Sequence, residues 1–237
     1  MSSVKPWRAE AVCFFLAAQL LCFFLGGTAM VMLHKGGVAG FKDDNDFGNI
    51  LLGTLSFQGA TWILMFIFFW LHGLRLGEGL GLWNKHLLRS LVLALCLIIL
   101  LLPITYGLQQ GSVMLMEKIG WTPKDEEAVT LVSGASSHAS AIYLGFFAVV
   151  LAPVAEEFIF RGVLFPFIKQ LGFPKIAWIG VSLLFALVHA TPSIFIPLFV
   201  LALALTWLYE KTNTLLAPIF AHALFNAVGL VLLNYSR

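Results

Sequence analysis

SAIYLGFFAVVLAPVAEEFIFRGVLFPFI, residues 140–168, is apolar for long enough to cross a bilayer, yet Glu156, Glu157 and Arg161 sit in its second half. A helix needs roughly 20 mainly apolar residues to span a hydrocarbon core about 30 Å thick. On a soluble protein, charges at this spacing would mark a solvated helix face. Here no charged residue precedes them in the run, so they belong to a helix whose surroundings are apolar. A charge held in lipid costs at least ~2.5 kcal/mol, so such groups turn toward a bundle interior and usually mark function.

The rest of the chain agrees with that setting. Of its 237 residues, 60% are hydrophobic and 11% charged, against about 25% charged in soluble domains. Further apolar runs are Ala11–Leu33, Ile50–Leu71, Leu87–Tyr106 (interrupted late by Pro103), Ile176–Ala190, Ile194–Tyr209 and Thr214–Leu233. With Ser140–Ile168 they predict an all-α polytopic membrane bundle of about seven transmembrane helices. The lipid bilayer is therefore its first partner. A net charge of +2, with no basic stripe, excludes nucleic acid as another. Cys13, Cys22 and Cys96 all lie inside apolar runs and offer neither a disulfide framework nor C-x-x-C zinc spacing. The first run follows Lys5 and Arg8 like a signal peptide, but its apolar stretch is longer than a signal core and reads as a span.

With the N-terminus inside, the inner segments hold Lys5, Arg8, Arg75, Lys85, Arg89, Lys169, Lys175 and Lys211. The outer ones hold Lys35, Lys42, Lys118, Lys124 and Arg237, so the positive excess favours this orientation. The longest connection, about Leu108 to Ala139, carries the acidic run Asp125-Glu126-Glu127 and then a Ser/Gly/Ala-rich stretch. It divides the chain into an N-terminal three-helix membrane region (1–110), an outer loop (111–139) and a four-helix core (140–237).

That core also holds His189, His222 and Asn226 inside its spans. With straight helices, Glu156 lies roughly 18 Å from the inner surface, His189 roughly 20 Å, His222 roughly 12 Å and Asn226 roughly 18 Å, at ~1.5 Å per residue. Separate helices thus bring their polar residues to one slab near mid-membrane. Glu157 and Arg161 are four apart with the acid first, the favourable order for a helical ion pair. Glu156 points about 100° away around the helix and stays free for chemistry. His222 and Asn226 are also four apart and share a face, as do Phe185 and His189.

At these residues the chain resembles the CAAX-protease and bacteriocin-processing (CPBP, or Abi) family of intramembrane glutamic endopeptidases. Glu156-Glu157-Phe158-Ile159-Phe160-Arg161 matches its E-E-x-x-x-R signature, Phe185 to His189 its F-x-x-x-H motif, and His222 to Asn226 its H-x-x-x-N motif. The three arrive in order on separate predicted helices, and the resemblance covers about Ala141 to Leu233. It implies a membrane endopeptidase in which Glu156 with His189 activates water, His222 and Asn226 stabilise the oxyanion, and Glu157 and Arg161 support the site. It implies a peptide or protein substrate at the membrane, prenylated or of bacteriocin type, and a bacterial plasma membrane.

The residue types suit that chemistry. Hydrolysing an amide needs a base for the water, donors for the oxyanion and an acid for the leaving amine. No cofactor is required, and Ser182 and Ser193 read as packing and turn residues. Glu156, His189 and His222 would also make an acceptable zinc set, but no H-E-x-x-H is present and Asn226 is a poor zinc ligand. A proton-coupled carrier is the rival from another class, though no paired repeat is visible. A non-catalytic scaffold or immunity protein on the same bundle is the third alternative. Elsewhere, His34, His72 and His86 read as interfacial, His138 has no apparent partner, and Trp7, Trp70, Trp83 and Trp121 read as an aromatic belt at the headgroups.

Overall fold

The structure, a computed structural model, describes residues 7–42, 46–123, 130–132, 134 and 138–235. Lys5, Asp43, Asp44, Lys124, the acidic run Asp125-Glu126-Glu127, Arg237, most of the Ser/Gly/Ala-rich stretch and the His138 side chain lie outside the described residues.

Apolar runs in a membrane must satisfy their own backbone, and every long run here becomes helix. The helices are α1 (Ala9–Lys35), α2 (Phe47–Leu71), the short α3 (Leu76–Leu80), α4 (Leu87–Lys118), α5 (Ser140–Gln170), α6 (Pro174–Val188), α7 (Phe195–Thr212) and α8 (Leu216–Tyr235). Among the described residues there is no strand. By length and composition α1, α2, α4, α5 and the segment Pro192–Thr212 can cross a membrane, and α6 and α8 are shorter apolar helices. The protein is an integral membrane helical bundle.

One expectation about the spans changes. Pro103 does not interrupt its helix: α4 runs through it to Lys118, so residues 111–118 are helix and the connection opens at Ile119. In an apolar setting, opening the helix at proline would leave more backbone groups unpaired than the one hydrogen bond that proline removes. Nearby, the Thr105 hydroxyl turns back onto the Leu101 carbonyl at 2.9 Å. α4 packs against α7 and α8, while α1 packs against α2.

Helices α1 and α2 reach the core through aromatic side chains. Phe158, inside the E-E-x-x-x-R stretch, is fully buried among Phe15 of α1 and Phe68 and Phe69 of α2, with ring centroids 5.4, 5.8 and 5.2 Å away. All three are edge-on contacts, a geometry that adds about 0.5–1.5 kcal/mol per pair beyond burial.

α5 is not uniformly wound. It widens into π turns at Phe147–Leu151 and Phe158–Leu164, on either side of Glu156 and Glu157. Each turn lies just before a proline, Pro153 and Pro166. A proline offers no N–H and its ring crowds the carbonyl four residues back, and a wider turn relieves that clash. Gly162, in the second turn, admits close packing: a Cβ there would lie 2.9 Å from Phe158 Cδ2 and 3.2 Å from Leu215 Cδ1. Pro166 also deprives the Gly162 carbonyl of its usual donor.

Trp7 supplies a replacement. Its indole Nε1–H donates to the Gly162 carbonyl at 2.8 Å, and its backbone exchanges hydrogen bonds with the Gln170 side chain at 2.8 and 2.7 Å. Its ring packs edge-on against Phe68 and His72. Trp7 is thus buried, not part of a headgroup belt, because it has a partner that a belt residue lacks; Trp70, Trp83 and Trp121 are exposed. Trp7→Phe keeps the ring contacts but leaves a buried carbonyl unpaired. It should lower stability by about 1–3 kcal/mol, read as an earlier thermal unfolding midpoint in detergent. An unchanged midpoint would contradict this docking of the N-terminal segment.

Candidate functional site

Glu157 and Arg161 lie fully buried one turn apart on α5 and pair at 2.8 Å, Arg161 Nη1 donating to Glu157 Oε1. The guanidinium is held on its other edges by α7. Its Nη2–H donates to the Ala202 carbonyl at 2.9 Å and its Nε–H to Thr206 Oγ1 at 3.3 Å. Its plane lies over the Phe185 ring, 4.7 Å from the centroid. Burying an ion pair is expensive unless further hydrogen bonds satisfy it, and this socket provides them.

The same carboxylate oxygen reaches α8. His222 Nδ1 lies 2.9 Å from Glu157 Oε1, and the His222 side chain is almost wholly buried. A carboxylate already paired with arginine only accepts, so His222 carries its proton on Nδ1. In the neutral ring, Nε2 is then an acceptor. It faces Glu156, 3.8 Å from Oε2.

His189 approaches from α6. The helix stops there: Ala190 adopts the left-handed conformation (φ 51°), and Thr191, which precedes Pro192, is extended. An alanine at positive φ is uncommon and carries a conformational cost of order 1–2 kcal/mol. A helix end leaves carbonyls without amide partners; His189 Nδ1–H donates to one of them, Phe185 O, at 2.7 Å. Its Nε2 is therefore the free acceptor, and it lies 3.9 Å from Glu156 Oε2.

Three acceptor atoms, Glu156 Oε2, His189 Nε2 and His222 Nε2, thus face one another from three helices. The carboxylate oxygen is buried and has no hydrogen-bond partner among the described residues. The side chains of Glu156 and His189 keep 17% and 16% of their surface exposed, so the cluster opens to the outside of the protein. Such a cluster is repulsive unless a hydrogen lies between its members. A water that donates to two of the acceptors, or a shared proton, satisfies it.

Asn226 is placed differently from the other residues of the expected set. Its Nδ2–H donates to the Ala148 carbonyl at 2.9 Å. That carbonyl sits in the first π turn, where the Ala152 N–H bonds to Phe147 and Pro153 has no N–H. One amide hydrogen of Asn226 is therefore committed to α5, and the second remains.

The structure thus brings Glu156, Glu157, Arg161, His189 and His222 into one cluster, with Asn226 one turn further along α8. Sequence reasoning missed Thr206, Ala202 and Ala148. Thr206 is one of three hydroxyl residues of α7, with Tyr209 and Thr212, too common a feature to stand out, and the other two act through backbone carbonyls. Ser182 touches the network only at its edge, 3.5 Å from Thr206 Oγ1. Among the described residues, no group of three or more His, Cys, Asp or Glu side chains has the arrangement of a metal site.

An apolar bundle that holds a partly exposed acid–imidazole cluster defines a polytopic membrane protein with a polar site inside its helices. Residues 138–228 match the family model described as Type II CAAX prenyl endopeptidase Rce1-like. The match takes in every residue of the cluster. Over 81 residues the chain is also 33% identical to UPF0177 protein YxdF of Lactococcus lactis subsp. lactis (strain IL1403). That alignment covers 34% of the chain and 44% of the relative, so the chain spans less than half the length of the curated protein it matches. No solved structure matches.

Arg161→Met should destabilise the protein by about 3–5 kcal/mol, because it strands the buried Glu157 charge. Adding Glu157→Gln should recover part of that loss. Strictly additive losses in a double-mutant cycle of thermal unfolding would show that the two side chains do not interact.

Proposed function

We propose that the chain is an intramembrane endopeptidase that hydrolyses a peptide bond with water activated by Glu156 and His189. The observation that carries this reading is the convergence of Glu156 Oε2 with the two imidazole Nε2 atoms at 3.9 and 3.8 Å. A water held by these acceptors would present its oxygen lone pair to a substrate carbonyl, and its proton would pass to Glu156. Moving that proton on to His222 Nε2 makes the nitrogen a donor. His222 then stabilises the oxyanion together with the second amide hydrogen of Asn226. Glu157, paired with Arg161, balances the charge that His222 gains. The proton finally leaves on the departing amine, so the water is consumed and the site restored.

The reading uses no metal. Asn226 suits an oxyanion better than zinc, and Glu156, His189 and His222 already have tasks that need no ion. The substrate is a peptide or protein segment at the membrane, and the Rce1-like match favours a prenylated tail over a bacteriocin-type peptide. Residues 140–237 act as the protease core. The N-terminus lies inside, and the bacterial source of the similar protein supports a bacterial plasma membrane.

Glu156→Gln, close to isosteric but unable to take a proton, should cost about 10²–10⁴ in rate, the usual contribution of a general base. In membranes from cells with the intact and Glu156→Gln proteins, a peptide end present in the first should be missing from the second. Identical peptide ends under every growth condition would refute the protease reading. Hydrolysis should also survive exhaustive chelation; loss on chelation with rescue by zinc would assign the same residues to a metal.

A further inference from the structure

Arg161 is anchored by a hydroxyl that neither the family match nor the motifs single out. Thr206 Oγ1 spends its hydrogen on the Ala202 carbonyl, at 2.9 Å one turn back along α7. It therefore meets Arg161 Nε–H as an acceptor, at 3.3 Å. Arg161 Nη2–H goes to the same Ala202 carbonyl, so one turn of α7 fixes two edges of the guanidinium. The third edge faces Glu157 Oε1, which in turn takes the His222 Nδ1 proton. The side chains of Thr206, Arg161 and Glu157 are fully buried.

We propose that Thr206 is a positioning residue that, through Arg161 and Glu157, keeps the His222 proton on Nδ1 and so turns the Nε2 lone pair toward Glu156. Without the Thr206 acceptor, the guanidinium is free to swing off Glu157 Oε1. Glu157 then has a reason to rotate into use its second oxygen, which has no partner among the described residues, and His222 loses the fixed acceptor that selects its tautomer. The chemical consequence rests on the protease reading above, but the tautomer can be read without any substrate.

The test is nitrogen NMR of full-length protein labelled with ¹⁵N-histidine in lipid nanodiscs, with the His222 signals assigned by their loss in His222→Gln. The unsubstituted protein should show His222 protonated on Nδ1 and bare on Nε2. Thr206→Val, which keeps the shape and removes the hydroxyl, should move His222 toward a mixture of tautomers, and Thr206→Ser should restore the original pattern. With a cleavable peptide in hand, Thr206→Val should lower kcat by about tenfold to a hundredfold with KM unchanged, the scale expected when a reacting group is mispositioned. Thr206→Ser should recover most of that rate.

His222 protonated on Nε2 in the unsubstituted protein would overturn the proposal with no variant needed. So would an unaltered tautomer in folded Thr206→Val. If the tautomer shifts as expected in a protein that cleaves no peptide, the relay stands and the protease reading falls.

Discussion

One buried ion pair governs the architecture around it. Glu157 and Arg161, both fully buried and 2.8 Å apart, would each be prohibitive alone in an apolar bundle. Their pairing is tolerable only because the remaining donors of Arg161 are met by Thr206 and Ala202, and because His222 adds a second donor to Glu157. Satisfying that pair requires α5, α7 and α8 to meet at one place and in one register. Once they do, Glu156, the neighbour of Glu157, is turned toward His222, and α6 brings His189 to the same oxygen. The charged pair therefore acts as a template for the placement of Glu156, His189 and His222.

The prolines of α5 have a matching role. Pro153 and Pro166 bracket the two glutamates and each is preceded by a π turn. The carbonyls they leave unpaired are filled from distant parts of the chain, Ala148 by Asn226 of α8 and Gly162 by the indole of Trp7. Backbone defects that would weaken an isolated helix become attachment points that fix α5 against its neighbours. π turns recur at functional sites in other proteins, and here their position follows from proline chemistry.

Much of this was legible in the sequence, for identifiable reasons. Hydrophobic runs report directly on lipid, so the spans are readable to within a few residues, except that α4 runs on past Tyr106 to Lys118. The Glu157–Arg161 pair followed from i, i+4 spacing, and simple rise-per-residue arithmetic brought Glu156, His189 and His222 to a common depth. What escaped depends on features without a residue-type signature. Ala148, Gly162 and Ala202 contribute only backbone oxygens. Trp7 looks like any interfacial tryptophan until its partner 155 residues away is known. Pro103 reads as a breaker because soluble helices break there, whereas α4 continues through it. The aromatic packing that ties α1 and α2 to Phe158 has no periodicity to betray it.

The account depends on Glu156 sharing one pocket with both imidazoles. Solid-state NMR on the protein in bilayers, with carboxyl-¹³C glutamate and ring-¹⁵N histidine, measures this directly when each pair is assigned by single substitution. Allowing one C–O bond beyond the 3.8 and 3.9 Å separations, the Glu156 carboxyl carbon should lie within about 5 Å of Nε2 in both His189 and His222. Strong dipolar coupling to one ring and none to the other would contradict the account, as would coupling to neither.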